Sequence, residues 1–242
     1  MRQFVRSIVE MFGDEYLRSL NDEDTARLLA INEQRGFPGM LGSIDCMYWW
    51  WKNCLMAWSG SLNDINVMHR SHLLDDLIAR EAPKVQYSIN GHHYTMGYYL
   101  ADGIYPEWAT FVKPIQSPVG RKRQHFVLQQ AAARKDVERA FGVLQSWFPI
   151  VRGTTRLWDQ ETLNNIMTAC IIMHNMIIED ERLDEEVEHV YEGAGEDVQS
   201  SHDLTPPLVA LSQWYSAIRS RHGHQHLRDD LVEHLWQIHG GE

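Results

Sequence analysis

An α/β fold is what this sequence predicts, and three observations predict it. Two short apolar runs each end in an aspartate, an Asn-Gly pair sits between two strand-like segments, and two long stretches carry apolar residues at helical spacing. The elements follow in order along the chain. Arg2 to Phe12 reads as a first helix. Asp22 or Asp24 is suited to cap a second that runs to Gln34, with Leu28, Leu29 and Ile31 as its apolar residues. Arg35-Gly36-Phe37-Pro38 then supplies a glycine stop and a proline breaker. Met40-Leu41-Gly42-Ser43-Ile44 reads as a buried strand that delivers Asp45 at its C-terminal end.

Val85 to Ile89 and His92 to Tyr94 flank Asn90-Gly91, the pair that a type I′ turn favours, so a hairpin is predicted there. Gly97 to Ala101 makes another strand, ending in Asp102, and Gly103 and Pro106 break regular structure just after it. From Gly120 to Trp147 the pattern is helical, with Ala133, Val137, Ala140, Leu144 and Trp147 on one face and Glu138 one step beside it. Gln160 to Ile178 is a helix apolar nearly all round, which predicts a central, buried element. Leu208 to Arg221 and Leu227 to Ile238 read as two short amphipathic tail helices.

Composition bounds the function. With 242 residues, 44% hydrophobic and 23% charged, the chain is sized for one domain with tails and a real core. No window approaches the roughly 18 apolar residues of a membrane span. The first residues lack the apolar core and cleavage site of a signal peptide, so an unanchored intracellular protein with no membrane partner is expected. Cys46, Cys54 and Cys170 show no paired or metal-binding spacing and read as buried thiols. The net charge of −11 is concentrated: Glu179 to Asp197 holds ten acids against Arg182, which leaves the rest of the chain near neutral. The obstacle that this charge sets against binding DNA therefore lies mainly in one tract, itself expected to be disordered.

Asp45 and Asp102 end apolar strands, and Glu138 lies beside the buried face of a helix. Strand ends next to a helix can bring distant carboxylates together, and three carboxylates suit hard divalent cations, which activate water and stabilise the leaving oxygen of a phosphodiester. On their own such acids are more often ordinary turn residues.

Their surroundings resemble a known family. FPGMLGSIDCMYWWWKNCLMAW (Phe37 to Trp58) resembles the first catalytic block of plant PIF/Harbinger-type DDE transposases, and SGSLNDINVM (Ser59 to Met68) a second block. NGHHYTMGYYLADGIYPEWATFVK (Asn90 to Lys113) resembles the block with the second aspartate. RKDVERAFGVLQSWFPIVRG (Arg134 to Gly153) is similar to the block with the catalytic glutamate, and TACIIMHNMIIEDER (Thr168 to Arg182) to the helix after it. The tail, HQHLRDDLVEHLW, is similar to the family's ending.

The resemblance implies an RNase H-like core and a DDE triad of Asp45, Asp102 and Glu138 on two Mg²⁺ or Mn²⁺ ions. The separation of 36 positions from Asp102 to Glu138 matches the family's spacing. Asp64, in a Ser/Asn-rich loop, is the rival for the second position. The resemblance also implies DNA as partner and residence in the nucleus.

Two departures bear on activity. Between Trp58 and Ser59 the family has a further segment, read here as two strands of the sheet, and their loss would shift Asp45 against Asp102. Tyr48 and Trp50 stand where His and Glu are more usual, and the upstream helix-turn-helix is absent, so DNA binding is expected to be weak or lost. The domain reading is a helical lead-in over 1–36, a DDE nuclease-like domain over 37–182 shortened at 58/59, an acidic linker over 183–204 and a helical tail over 205–242.

Secondary features complete the reading. Arg121, Lys122, Arg123, Arg134, Lys135 and Arg139 form a basic flank able to hold a DNA backbone, or else a solvated helix surface. Tyr48, Trp49, Trp50 and Trp51 are read as packing residues rather than base-stacking ones. His222, His224 and His226 are read as a flexible surface tail rather than a metal site, and His174 and Asn175 as hydrogen-bonded core residues. Two functions remain: an impaired metal-dependent DNA endonuclease, or an inactive domesticated copy that serves as a nuclear protein-binding or chromatin-complex subunit.

Overall fold

A computed structural model describes residues 1–50, 67–68, 85–157, 159–186 and 208–239. The fold is mixed α/β and mostly helical. Its elements are α1 (Arg2–Tyr16), α2 (Asp22–Gln34), β1 (Met40–Ser43), β2 (Tyr87–Ile89), β3 (His92–Tyr94), β4 (Tyr98–Leu100), β5 (Phe111–Val112), α3 (Arg121–Trp147), α4 (Pro149–Arg152), α5 (Gln160–Glu186), α6 (Leu208–Ile218) and α7 (Arg221–His239). The chain divides into two compact units, one of Met1–Ser19, Met47–Gly60 and Arg139–Asp197, the other of Leu20–Cys46, Ser61–Glu138 and Val198–Glu242.

In the first unit α1 packs on α5. Val5 and Ile8, three residues apart on α1, meet Ile166, Ala169, Cys170 and Ile172, with Leu144 and Val151 in the same cluster. The side chain of Asn175 donates to the Tyr16 carbonyl at 2.9 Å and so satisfies one of the carbonyls orphaned where α1 ends. Cys170 is buried, and burial pushes its thiol up to about 11. The predicted all-round burial of α5 is corrected. Ile177 and Ile178, toward its C-terminal end, are exposed. The helix continues to Glu186, into the acidic tract; the rest of the tract falls within residues 187–207, which lie outside the described residues.

The second unit is built on a three-stranded parallel sheet in the order β1-β4-β5. Tyr98, Leu100, Phe111 and Val112 are all fully buried, as strands covered on both faces require. β5 escapes sequence reading because two residues are too short to show a period, and pairing with β4 is what makes them a strand. β2 and β3 form the expected hairpin around Asn90 and Gly91, both at positive φ as the turn demands.

The cap of α2 is Asn21, not Asp22 or Asp24. Its side chain accepts from the Asp24 amide at 2.7 Å, and Asp24 reaches back to the Asn21 amide, a reciprocal capping box. Asn32, buried, donates to the Met40 carbonyl at 2.9 Å and pins α2 to the start of β1. α3 and α7 cover the sheet through Phe126, Ala133, Leu227, Leu231 and Leu235.

The histidine-rich run is also corrected: α7 starts at Arg221 and takes His222, His224 and His226 into the helix. His224 is fully buried and its Nδ1 lies 2.6 Å from the Phe111 carbonyl, so Nδ1 carries the proton and donates. Burial, opposed by that hydrogen bond, holds the imidazole below its ordinary value of 6.5. The unfolded chain then binds a proton at a pH where the folded one does not. The stabilisation is full above the unfolded value and is lost as pH falls through it toward the folded one. Melting temperature should therefore drop as pH is lowered from about 7.5 to about 5.5, and less so in His224→Gln. Equal pH profiles for the two proteins would remove His224 as the cause.

Candidate active site

Parallel strands end on the same edge of a sheet, and β1 and β4 are neighbours with Ser43 opposite Leu100. Asp45 and Asp102 each lie two residues beyond those partners, so the shared register carries them side by side. The ladder extends one step past β1, since the Ile44 amide donates to the Leu100 carbonyl at 2.9 Å. Each aspartate then turns one oxygen back on the chain: Asp45 accepts from the Cys46 amide at 2.8 Å and Asp102 from the Gly103 amide. The Tyr105 amide donates to the Asp102 carbonyl at 3.2 Å, and the buried Tyr105 ring anchors the turn.

α3 supplies the third acid through a row at four-residue spacing. Gln130, Arg134 and Glu138 lie one above the other on one helix face. Gln130 is buried and its amide nitrogen donates to the carbonyls of Ala101 at 3.2 Å and Val112 at 3.4 Å, where β4 and β5 end. That pair of bonds sets the height of α3 against the sheet. One turn on, the Arg134 guanidinium, only 12% exposed, reaches all three acids. It lies 3.6 Å from Asp45, 3.7 Å from Asp102 and 4.0 Å from Glu138.

Asp45 and Glu138 approach the same nitrogen of Arg134, so their oxygens lie no farther apart than those two distances together allow. Three carboxylates and one guanidinium leave a local charge of about −2 at neutral pH, with the arginine offsetting the mutual repulsion of the acids. Carboxylate oxygens are the ligands that Mg²⁺ and Mn²⁺ take, so the donor set fits such ions in kind. In this arrangement, however, the three acids converge on a guanidinium. Among the described residues they are not a group whose ligand atoms all lie within 4.8 Å of one another.

The remaining candidates are dispersed. Asp64 and Trp51 lie outside the described residues, as does the junction of Trp58 and Ser59. Of the basic flank, Arg134 faces the acids and Lys122 is paired with Glu233 at 2.6 Å, which holds that carboxyl below its usual range. Arg121, Arg123, Lys135 and Arg139 are exposed on α3. Trp49 packs in the first unit and donates from its indole to the Gly153 carbonyl at 2.9 Å, while Tyr48 and Trp50 are exposed. Sequence reasoning missed Gln130 and assigned Arg134 to DNA. The row of Gln130, Arg134 and Glu138 at successive four-residue steps was the signal available.

No helix among the described residues is long and apolar enough to cross a membrane. No curated relative and no solved structure matches the chain. A family model described as plant transposon protein matches residues 14–62 and 59–185, and its two segments meet at the place where the sequence passes from Trp58 to Ser59. The matched segments take in most of the chain, Asp45, Asp102 and Glu138 among them, and the chain belongs to the plant transposon protein family.

Proposed function

We propose that this protein descends from a PIF/Harbinger-type DDE transposase with an RNase H-like core, and that its metal-dependent DNA endonuclease activity is impaired. The observation that carries the reading is the equal offset of Asp45 and Asp102 beyond paired strands, with Arg134 within 4.0 Å of both and of Glu138. A sheet of three parallel strands with its acids at neighbouring ends agrees with such a core short of two strands. The family match comes in two segments that change over at residues 59–62, which agrees with the same loss.

Asp45, Asp102 and Glu138 would hold Mg²⁺ or Mn²⁺, and the bound ions supply an activated water and a stabilised leaving oxygen. In the present arrangement the chain's own residues work against that. Arg134 offsets one of the three negative charges from inside the cluster, and Gln130 fixes the helix that carries it. The exposed Arg121, Arg123 and Lys135 give a small basic surface against a net charge of −11, consistent with weak DNA binding in the nucleus.

Purified full-length protein, incubated with supercoiled plasmid and Mg²⁺ or Mn²⁺, is expected to nick no faster than its Asp102→Asn variant. Robust cleavage by the wild type that the variant lacks would overturn the impairment. Coding sequence in genomic DNA between the codons of Trp58 and Ser59 would point to an intact enzyme as the natural product. The position of Arg134 also favours a second reading, a catalytically inactive nuclear protein-binding or chromatin-complex subunit. That reading expects a stable complex from nuclear extract that survives Asp102→Asn.

A further inference from the structure

Away from the acids, hairpin β2–β3 meets helix α7 at a cluster of imidazole and carboxylate groups. Asp230 and His226 are one helical turn apart on α7, and His92 opens β3. One Asp230 oxygen, Oδ2, lies 2.8 Å from His92 Nδ1 and 3.7 Å from His226 Nδ1. The three ligand atoms all lie within 4.8 Å of one another. The Tyr94 hydroxyl donates to the same Oδ2 at 2.5 Å and lies 2.8 Å from His226 Nδ1. Asn90, in the turn of the hairpin, donates to the Asp230 carbonyl at 2.9 Å. Leu227, Leu231 and Val232, on either side of Asp230 in the sequence, are in the core, so the carboxylate is held by packing as well as by hydrogen bonds.

Two imidazole nitrogens and a carboxylate oxygen are the ligand types that suit Zn²⁺ and its neighbours. With metal–ligand bonds of about 2.0–2.1 Å, neighbouring ligands of a tetrahedral ion stand roughly 3.3 Å apart. The two spacings from Asp230, 2.8 Å and 3.7 Å, fall on either side of that value, so small side-chain movements reach it. Both histidines are exposed, which leaves room for water in a fourth position. Tyr94, bonded to the carboxylate, would orient it as an outer-shell partner.

We propose that His92, His226 and Asp230 form a binding site for one divalent transition-metal ion of the Zn²⁺ class, which clips the β2–β3 hairpin to α7. A ligand that binds the folded chain and not the unfolded one stabilises it. The test uses full-length protein with Mg²⁺ in excess, so that Asp45, Asp102 and Glu138 do not report on the added ion. Zn²⁺ titrated calorimetrically should bind one per chain and raise the melting temperature by several degrees. Co²⁺ in its place should give the visible absorption of a tetrahedral ion.

His92→Ala, at an exposed position on the hairpin, should weaken Zn²⁺ binding by about a hundredfold or more, since losing even an outer-shell partner costs up to that much, and should abolish the thermal shift. Asp230→Asn should do the same, and His222→Ala should leave both unchanged. Circular dichroism of His92→Ala without metal checks that the fold is intact. Absence of Zn²⁺ binding, or binding that is lost with His222 and kept with His92→Ala, would overturn the site.

Discussion

Alanine at Gly39 should cost about 3 kcal/mol or more, enough to lower the melting temperature by roughly 6–12 °C. Two independent effects add at this position. Gly39 has φ of +78°, a region where an L side chain costs roughly 1–2 kcal/mol. A Cβ there would also penetrate the ring of Tyr87. That ring cannot simply swing away, because it stacks on Tyr94 at 5.2 Å and its hydroxyl donates to the Met96 carbonyl at 3.2 Å. Overpacking of this kind costs about 1–3 kcal/mol.

Gly39 immediately precedes β1, the strand that carries Asp45, so the glycine lets the chain pass beneath the hairpin on its way to the acids. Denaturant unfolding of Gly39→Ala and of the double variant Gly39→Ala/Tyr87→Ala, each against its own parent, separates the two effects. The penalty should fall to the backbone part alone once the ring is gone. An unchanged penalty in both backgrounds would show that the Tyr87 ring plays no part.

Arg134→Gln should have the second largest effect, on stability and on cation affinity in opposite directions. Removing the guanidinium leaves three carboxylates without their shared cation. Arg134 is largely buried while Asp102 and Glu138 face solvent, so the loss should fall between the surface and buried limits, about 1–3 kcal/mol. The same change clears the centre of the cluster and leaves its charge about one unit more negative. Affinity for Mg²⁺ or Mn²⁺ should then rise by roughly tenfold or more. Thermal melts with and without Mn²⁺ read both: the variant should melt lower than wild type without metal and recover more of the difference with it. A variant whose melting is indifferent to Mn²⁺ would mean that the acids do not act together. Arg134→Lys, which keeps the charge and loses the planar fork, should fall between wild type and Gln.

Much of this site was legible before folding was considered. Asp45 and Asp102 each follow a short apolar run, and a buried parallel strand shows itself in sequence as such a run. Glu138 sits on a helix whose 3.6-residue period is plain over a long stretch, and the Asn-Gly turn has one favoured geometry. What could not be read from the same residues was their partners. Arg134 looked like one of six cations on a helix surface, because nothing local distinguishes an arginine that meets phosphate from one that meets three acids. Gln130 looked like any polar helix residue. Its role depends on carbonyls of Ala101 and Val112, 29 and 18 residues away in the chain.

The histidines of α7 mark the same boundary. As a string, HGHQH is a polar run with a glycine in it, and such composition favours a loop. In the fold, burial of Leu227, Leu231 and Leu235 draws the helix back to Arg221. His224 then turns inward to the Phe111 carbonyl and His226 outward to Tyr94 and Asp230.

The sequence by itself determined the family, the strands that end in acids, the long helices and the hairpin, since each depends on residues close together in the chain. Only the tertiary structure decided that Asp45 stands beside Asp102, that Arg134 lies among the three carboxylates and that His92 meets Asp230. Those are contacts between distant segments, selected by how strands pair and helices pack, and no local period or propensity encodes them.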